Sequence, residues 1–107
     1  VRNRHGVYVE ASVKSITAAA ADSSQPIPAD FRYSLTDSPG SDAFPIVGTC
    51  WAIVSADLDP DKREDVIDFL TWATGEGQSH VASLHYGALP SNLVAKITEA
   101  LQKARLP

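Results

Sequence analysis

The residues best able to do chemistry lie in the second half of the chain. Asp57, Asp59, Asp61 and Asp68 stand at positions one, three, five and twelve of a calcium-loop template. That template needs Gly at position six for its sharp turn and favours a bidentate Glu at twelve. Here Lys62 takes position six and Pro60 stiffens position four. Acids placed to cap a helix and complement its positive end explain the same spacing. Gly75-Glu76-Gly77 is half of a phosphate-loop motif, but a helical pattern precedes it where a strand is required, so helix punctuation is the better account. Cys50 could act as a nucleophile beside His80 or His85. A reactive thiol needs a base and an electropositive site, whereas Cys50 sits inside an apolar run and reads as a small buried hydrophobe. His80 and His85 are five residues apart, which misses the four-residue spacing that stacks two ligands on one helical face. His5 is remote from both. Trp51 and Trp72 could stack on a ligand, although aromatics in apolar runs more often fill cores. Arg32, between Phe31 and Tyr33, could hold an anion or be a partly exposed structural arginine. No acid, base and nucleophile assemble from these residues, so the expectation is a protein that is not an enzyme, with no metal and no cofactor.

The chain has 107 residues, a net charge of −4 and a single cysteine. One internal cysteine forms no disulfide and builds no cysteine zinc site. The nine Lys and Arg are scattered, which lacks the basic footprint of a general nucleic-acid binder. No apolar run approaches the roughly 20 residues of a membrane helix. With 44% apolar and 21% charged residues the composition is that of a folded domain. The chain contains no Met, so the expectation is a piece processed or cut from something longer.

The elements that must position these residues follow from periodicity and caps. Val7-Tyr8-Val9 predicts a short strand. Ser12 predicts an N-cap for a helix over 13–21, with Val13, Ile16 and Ala20 on one face, and Asp22 to Pro26 a loop. Residues 28–35 suit either one helical turn or an extended piece. Thr36 to Asp42 carries Pro39-Gly40 and strong turn chemistry. Ile46 to Val54 is β-branched and almost continuously apolar, the pattern of a strand covered on both faces. It has no partner strand of comparable strength in this sequence, although a buried strand needs neighbours for its backbone groups. Asp59-Pro60 opens a helix as N-cap and first residue. Its buried stripe is predicted to be Val66, Ile67, Leu70 and Ala73, widened by Phe69 and Trp72. A further helical stretch over 78–84 and a loop over 86–90 lead to a last helix capped by Ser91, with Leu93, Val94, Ile97, Leu101 and Ala104 at helical spacing.

In that order the segments resemble a known family. Val7 to Ser12, the alanine-rich helix, and Pro28-Ala29-Asp30-Phe31-Arg32-Tyr33-Ser34-Leu35 come first. Gly40-Ser41-Asp42-Ala43-Phe44-Pro45-Ile46 looks like a G-x-D-A-[YWF]-P-I signature. Trp51-Ala52-Ile53-Val54, Asp68-Phe69-Leu70-Thr71-Trp72-Ala73, Gly77-Gln78 and Leu84-His85-Tyr86-Gly87-Ala88-Leu89-Pro90 follow. Together they resemble the later part of periplasmic phosphate-binding proteins, the PstS-type substrate-binding subunits of the ABC phosphate importer.

The resemblance implies an α/β fold: the C-terminal third of a two-lobed, type II periplasmic-binding-protein architecture, with few strands and several packed helices. Residues 1–38 would belong to the second lobe, 39–55 to a hinge turn and crossover strand, and 56–107 to C-terminal helices on the first lobe. It implies capture of inorganic phosphate, delivery to an ABC permease, and a periplasmic or extracytoplasmic location, with the parent free or anchored as a lipoprotein. The family holds phosphate with a Thr-plus-aromatic loop, a Ser at a helix N-terminus, an Asp, and an Arg followed by Ser-Gly-Thr. No segment of this chain matches any of these, so it carries no phosphate-binding residue of its own; Asp30 and Arg32 match a family segment outside the anion site. The phosphate would be bound through a missing N-terminal part, where the partners of strand 46–54 would also lie. The alternative is a small interaction module that self-associates through strand 46–54.

Overall fold

The computed structural model describes residues 1–21 and 26–106. Among these, the regular elements are three α-helices: α1 (Val13–Ala21), α2 (Pro60–Thr74) and α3 (Ser91–Arg105). Two 3₁₀ turns, Glu76–His80 and Ala82–Leu84, join α2 to the loop before α3. The expected loop at Asp22 to Pro26 lies, except for Pro26, outside the described residues.

The first 45 residues knit around α1. Val1 to Val9 fold back on themselves, Val9 N–H donating to the Val1 carbonyl and Asn3 N–H to the Val7 carbonyl, each at 2.9 Å. Gly6 supplies the left-handed turn residue, at φ 77°. The strand expected at Val7–Val9 is reduced to one antiparallel bridge between Arg2 and Tyr8, because one short ribbon finds no third strand to extend it. Helix α1 begins where Ser12 predicts. Ser12 Oγ accepts from Ser15 N–H at 3.2 Å, and Ser15 Oγ accepts from Ser12 N–H at 3.0 Å. This is a capping box with Ser in the place of Glu. The loop over 35–45 then closes on the helix: Ser38 Oγ donates to the Ala19 carbonyl at 2.8 Å and Phe44 N–H to the Ser15 carbonyl at 3.1 Å. Ala19, Leu35 and Ala43 are buried at this junction.

Helices α2 and α3 pack on each other. Asp59 precedes α2 and Pro60 is its first residue, but the Asp59 carboxylate makes no capping bond. Arg63 instead ties the preceding loop down, its guanidinium donating to the Ala56 and Leu58 carbonyls at 3.0 and 3.2 Å. Ile67 is the buried centre of α2, 2% exposed, and Leu93 its counterpart on α3. Ser91 proves to be the first residue of α3 and makes no side-chain cap; the Pro90 carbonyl receives the N–H groups of Leu93 and Val94, each at 3.0 Å. Three further expectations are corrected. The 78–84 stretch winds as 3₁₀ turns. Phe69, 62% exposed, and Trp72 do not widen the buried stripe but project outward. Ala104 at the end of α3 is exposed as well.

The largest correction concerns residues 46–54. No strand forms among the described residues. The segment runs as irregular, largely exposed chain, with Ile46, Trp51, Ile53 and Val54 in solvent. A ladder needs a second backbone alongside, and none of the described residues supplies one. The expected α/β architecture is therefore seen here only in its helical part. The chain is also open. Its accessible surface is 7505 Å², about 30% above the roughly 5,800 Å² of a compact monomer of this mass. Its radius of gyration is 15.5 Å, against roughly 13 Å expected.

Candidate functional site

The structure disperses most of the residues singled out for chemistry. Asp57 and Asp59 lie in the loop before α2, and Asp61 in its first turn. Asp68, two turns further on, is hydrogen-bonded to Arg105 of α3, which also approaches Glu64 at 3.8 Å. These are ion pairs that clamp two helices, and no three His, Cys, Asp or Glu among the described residues converge on a metal position. Gly75 and Gly77 punctuate the end of α2; a Cβ at Gly77 would meet the Trp72 carbonyl at 3.0 Å and its ring at 3.2 Å. The His80 ring lies 6.3 Å from that of Trp72, tilted by 35°, and Trp72 in turn lies 6.1 Å from Phe69. His85 is the left-handed residue closing the second 3₁₀ turn, at φ 63°. His5 is bonded through Nε2 to the Pro39 carbonyl, far from both in sequence. The expected burial of Cys50 is corrected: it is exposed, since the strand that would have buried it is not formed. Arg32 projects into solvent, 3.6 Å from the Asp30 carboxylate.

What the fold does assemble is an apolar cleft. Residues 30–33 and 49–54 form one wall, and the inner faces of α2 and α3 form the other, through Leu70, Leu93, Ile97 and Leu101. The cleft encloses a volume of about 750 Å³. Phe31 is held in the left-handed region at φ 57°, an unusual conformation for a bulky side chain. This turns its carbonyl to receive the Trp51 indole N–H at 3.0 Å. Trp51 also meets Tyr33 edge-on, with ring centroids 6.1 Å apart. Lys96 of α3 reaches across to the Ile27 carbonyl at 2.8 Å. Thr49 Oγ1 is buried without a hydrogen-bond partner among the described residues. Nor, among them, does any backbone–backbone hydrogen bond involve residues 46–55. The cleft is thus apolar inside and lined on one side by an unpaired backbone. Sequence reasoning marked the apolar run but missed the cleft, because its far wall comes from helices 20 to 50 residues further along.

The Glu99 carboxyl is held below the usual glutamate range, first by its 2.7 Å hydrogen bond to Lys103 and then by the charges of Lys103 and Lys96. It lies on the solvent face of α3 and marks helix charge pairing.

No protein-family model matches the chain, and no solved structure matches it. Curated relatives do. The chain is 26% identical over 98 residues to the phosphate-binding protein PstS of Pasteurella multocida, a match covering 91% of this chain and 28% of that protein. It is 35% identical over 111 residues to the phosphate-binding protein PstS of Methanocaldococcus jannaschii, again 91% of this chain and 28% of that protein. The chain therefore spans little more than a quarter of the length of these relatives. It is similar to one stretch of a PstS protein, and those relatives are binding proteins.

Proposed function

We propose that the chain is part of an extracytoplasmic phosphate-binding protein that serves an ABC phosphate importer, and that it contributes scaffold rather than ligands. The observation that carries this reading is a match to PstS proteins over 91% of the chain, joined to the ordered motifs from Val7 to Pro90. In this reading residues 1–38 belong to the second lobe, 39–55 cross between lobes, and 56–107 pack on the first. The phosphate ligands and the permease-facing surface belong to the portion of the relatives' length that this chain does not span. Arg32 is paired with Asp30, which supports leaving it out of the anion site.

The test is calorimetric titration with inorganic phosphate. The 107-residue chain is expected to show no specific heat of binding, and a longer precursor carrying it is expected to bind phosphate. Micromolar binding by the chain alone, or a native gene encoding only these residues, overturns the reading.

A further inference from the structure

We infer that the outward face of α2 is a docking site for a basic segment of another protein. Its floor is the rings of Phe69, Trp72 and His80, with Asp61, Asp65 and Glu76 beside them, and the partner's arginine or lysine side chains lie over the rings.

The rings form a continuous platform. Phe69 and Trp72 are tilted by 34° at 6.1 Å, and Trp72 and His80 by 35° at 6.3 Å. Gly77 fixes the middle of it. A Cβ there would meet the Trp72 ring at 3.2 Å, so the buried Gly77 backbone lies against one side of the indole. Trp72 is held in place yet remains 48% exposed, and Phe69 62%. Exposed apolar surface gathered in one patch marks a contact site, and Trp is enriched among the residues that anchor partners.

Charge names the occupant. Asp61 and Asp65 stand two turns and one turn before Phe69 on the same side of α2, and Glu76 opens the 3₁₀ turn that follows. All three are exposed, and none takes part in an ion pair among the described residues. Lys62 borders the row, which leaves it with an acidic excess. A cation over a Trp face is drawn by the ring quadrupole, and here by carboxylates as well. The same charges repel nucleic acid and anionic lipid.

Position separates this face from the apolar cleft. At about 100° per residue, Trp72 lies about 160° round the helix from Leu70, which walls the cleft, and Asp61 about 180°. The platform and the cleft therefore open on opposite sides of α2. Polypeptide that fills the cleft leaves the platform in water. Covering Asp61 and Asp65 with apolar chain would also strip solvent from unpaired charges, at high cost.

The probe is a short alanine peptide with arginines one helical turn apart, titrated into the 107-residue chain and followed by the two indole N–H resonances in NMR spectra. The Trp72 signal is expected to move and the Trp51 signal to stay. Trp72→Leu, which keeps apolar bulk and loses the ring, and Asp65→Asn are each expected to weaken binding about tenfold. Salt should weaken it further, and the same peptide with citrulline for arginine should not bind. Equal binding of the arginine and citrulline peptides makes the occupant neutral and overturns the inference. Equal binding by wild type, Asp65→Asn and folded Trp72→Leu, or a shift at Trp51 alone, overturns it too. Hydroxyl-radical footprinting gives an independent reading: Trp72 should be oxidised as readily in the longer precursor as in the chain. Protection of Trp72 there shows that the polypeptide covers its own platform and overturns the inference. Phosphate binding by the precursor is expected to be the same with Asp65→Asn, so these outcomes leave the functional reading standing.

Discussion

A Cβ added at Gly87 would stand 2.7 Å from Ile16 Cγ2 and 3.3 Å from Thr17 Oγ1. The loop before α3 is thus seated directly on α1, and the two helical parts of the chain meet through a residue without a side chain. The distance is shorter than any real carbon–carbon contact, and the atom met is fixed close to the Ile16 backbone and has little freedom to move aside.

Gly87→Ala should therefore act as an overpacking substitution and cost about 1–3 kcal/mol. Chemical denaturation of the chain checks it. A second change, Ile16→Val, removes a methyl group without relieving the contact at Cγ2. It is expected to lower stability further rather than rescue Gly87→Ala.

Asn3 is buried and its side chain meets four backbone groups. Its Nδ2 donates to the Ser41 and Ala43 carbonyls at 2.6 and 3.4 Å, and its Oδ1 accepts from His5 and Val7 N–H at 3.0 and 3.1 Å. Asn3→Ala leaves these groups without partners and should cost about 1–3 kcal/mol. Proteolysis should then find new cuts near residues 3–7 and 41–43.

Ile67 is the most enclosed large side chain on α2. Ile67→Ala should destabilise the α2–α3 pair by about 2–5 kcal/mol, and Ile67→Val by about 0.5–1.5 kcal/mol. Phe69→Ala, one turn face away and exposed, should be nearly neutral in the same denaturation experiment. Equal effects at 67 and 69 would contradict the orientation of α2.

Trp51→Phe removes the indole donor to the Phe31 carbonyl and keeps the edge contact to Tyr33. The cost should be about 0.5–1.5 kcal/mol, softened because the bond is exposed. Fluorescence from the remaining Trp72 reports unfolding of α2, so the loss can be read without the mutated chromophore.

Glu99 titrates below the ordinary glutamate range because Lys103 hydrogen-bonds and attracts its charged form. Its contribution to stability is fully present above the ordinary glutamate range. It fades as pH falls through that range and is gone below the lowered pKa of the folded state. Both side chains are exposed, so salt should screen the effect. Carboxyl NMR titration should show the Glu99 midpoint rising in Lys103→Gln and in high salt.

The three helices were legible in the sequence because a helix is written locally. Each N–H meets a carbonyl four residues back, so Ser12, Asp59-Pro60 and the spacing of Val66, Ile67, Leu70 or Leu93, Ile97, Leu101 mark the elements from within. That no disulfide forms within the given sequence was also legible, because Cys50 is its single cysteine. The segment over 46–54 shows the opposite case. Its β-branched composition expresses a preference for extended, covered chain, but a strand exists only where another backbone lies beside it. The width of the buried face of α2 was misjudged from spacing, since Phe69 and Trp72 sit close enough to the apolar stripe to be read as widening it, and the structure leaves both exposed. The packing of α3 on α2, with Arg105 on Asp68, selected the face that excludes them. The cleft, the exposed Cys50 and the seat of Gly87 on Ile16 were set by tertiary structure alone, because each depends on atoms brought together from far apart in the chain.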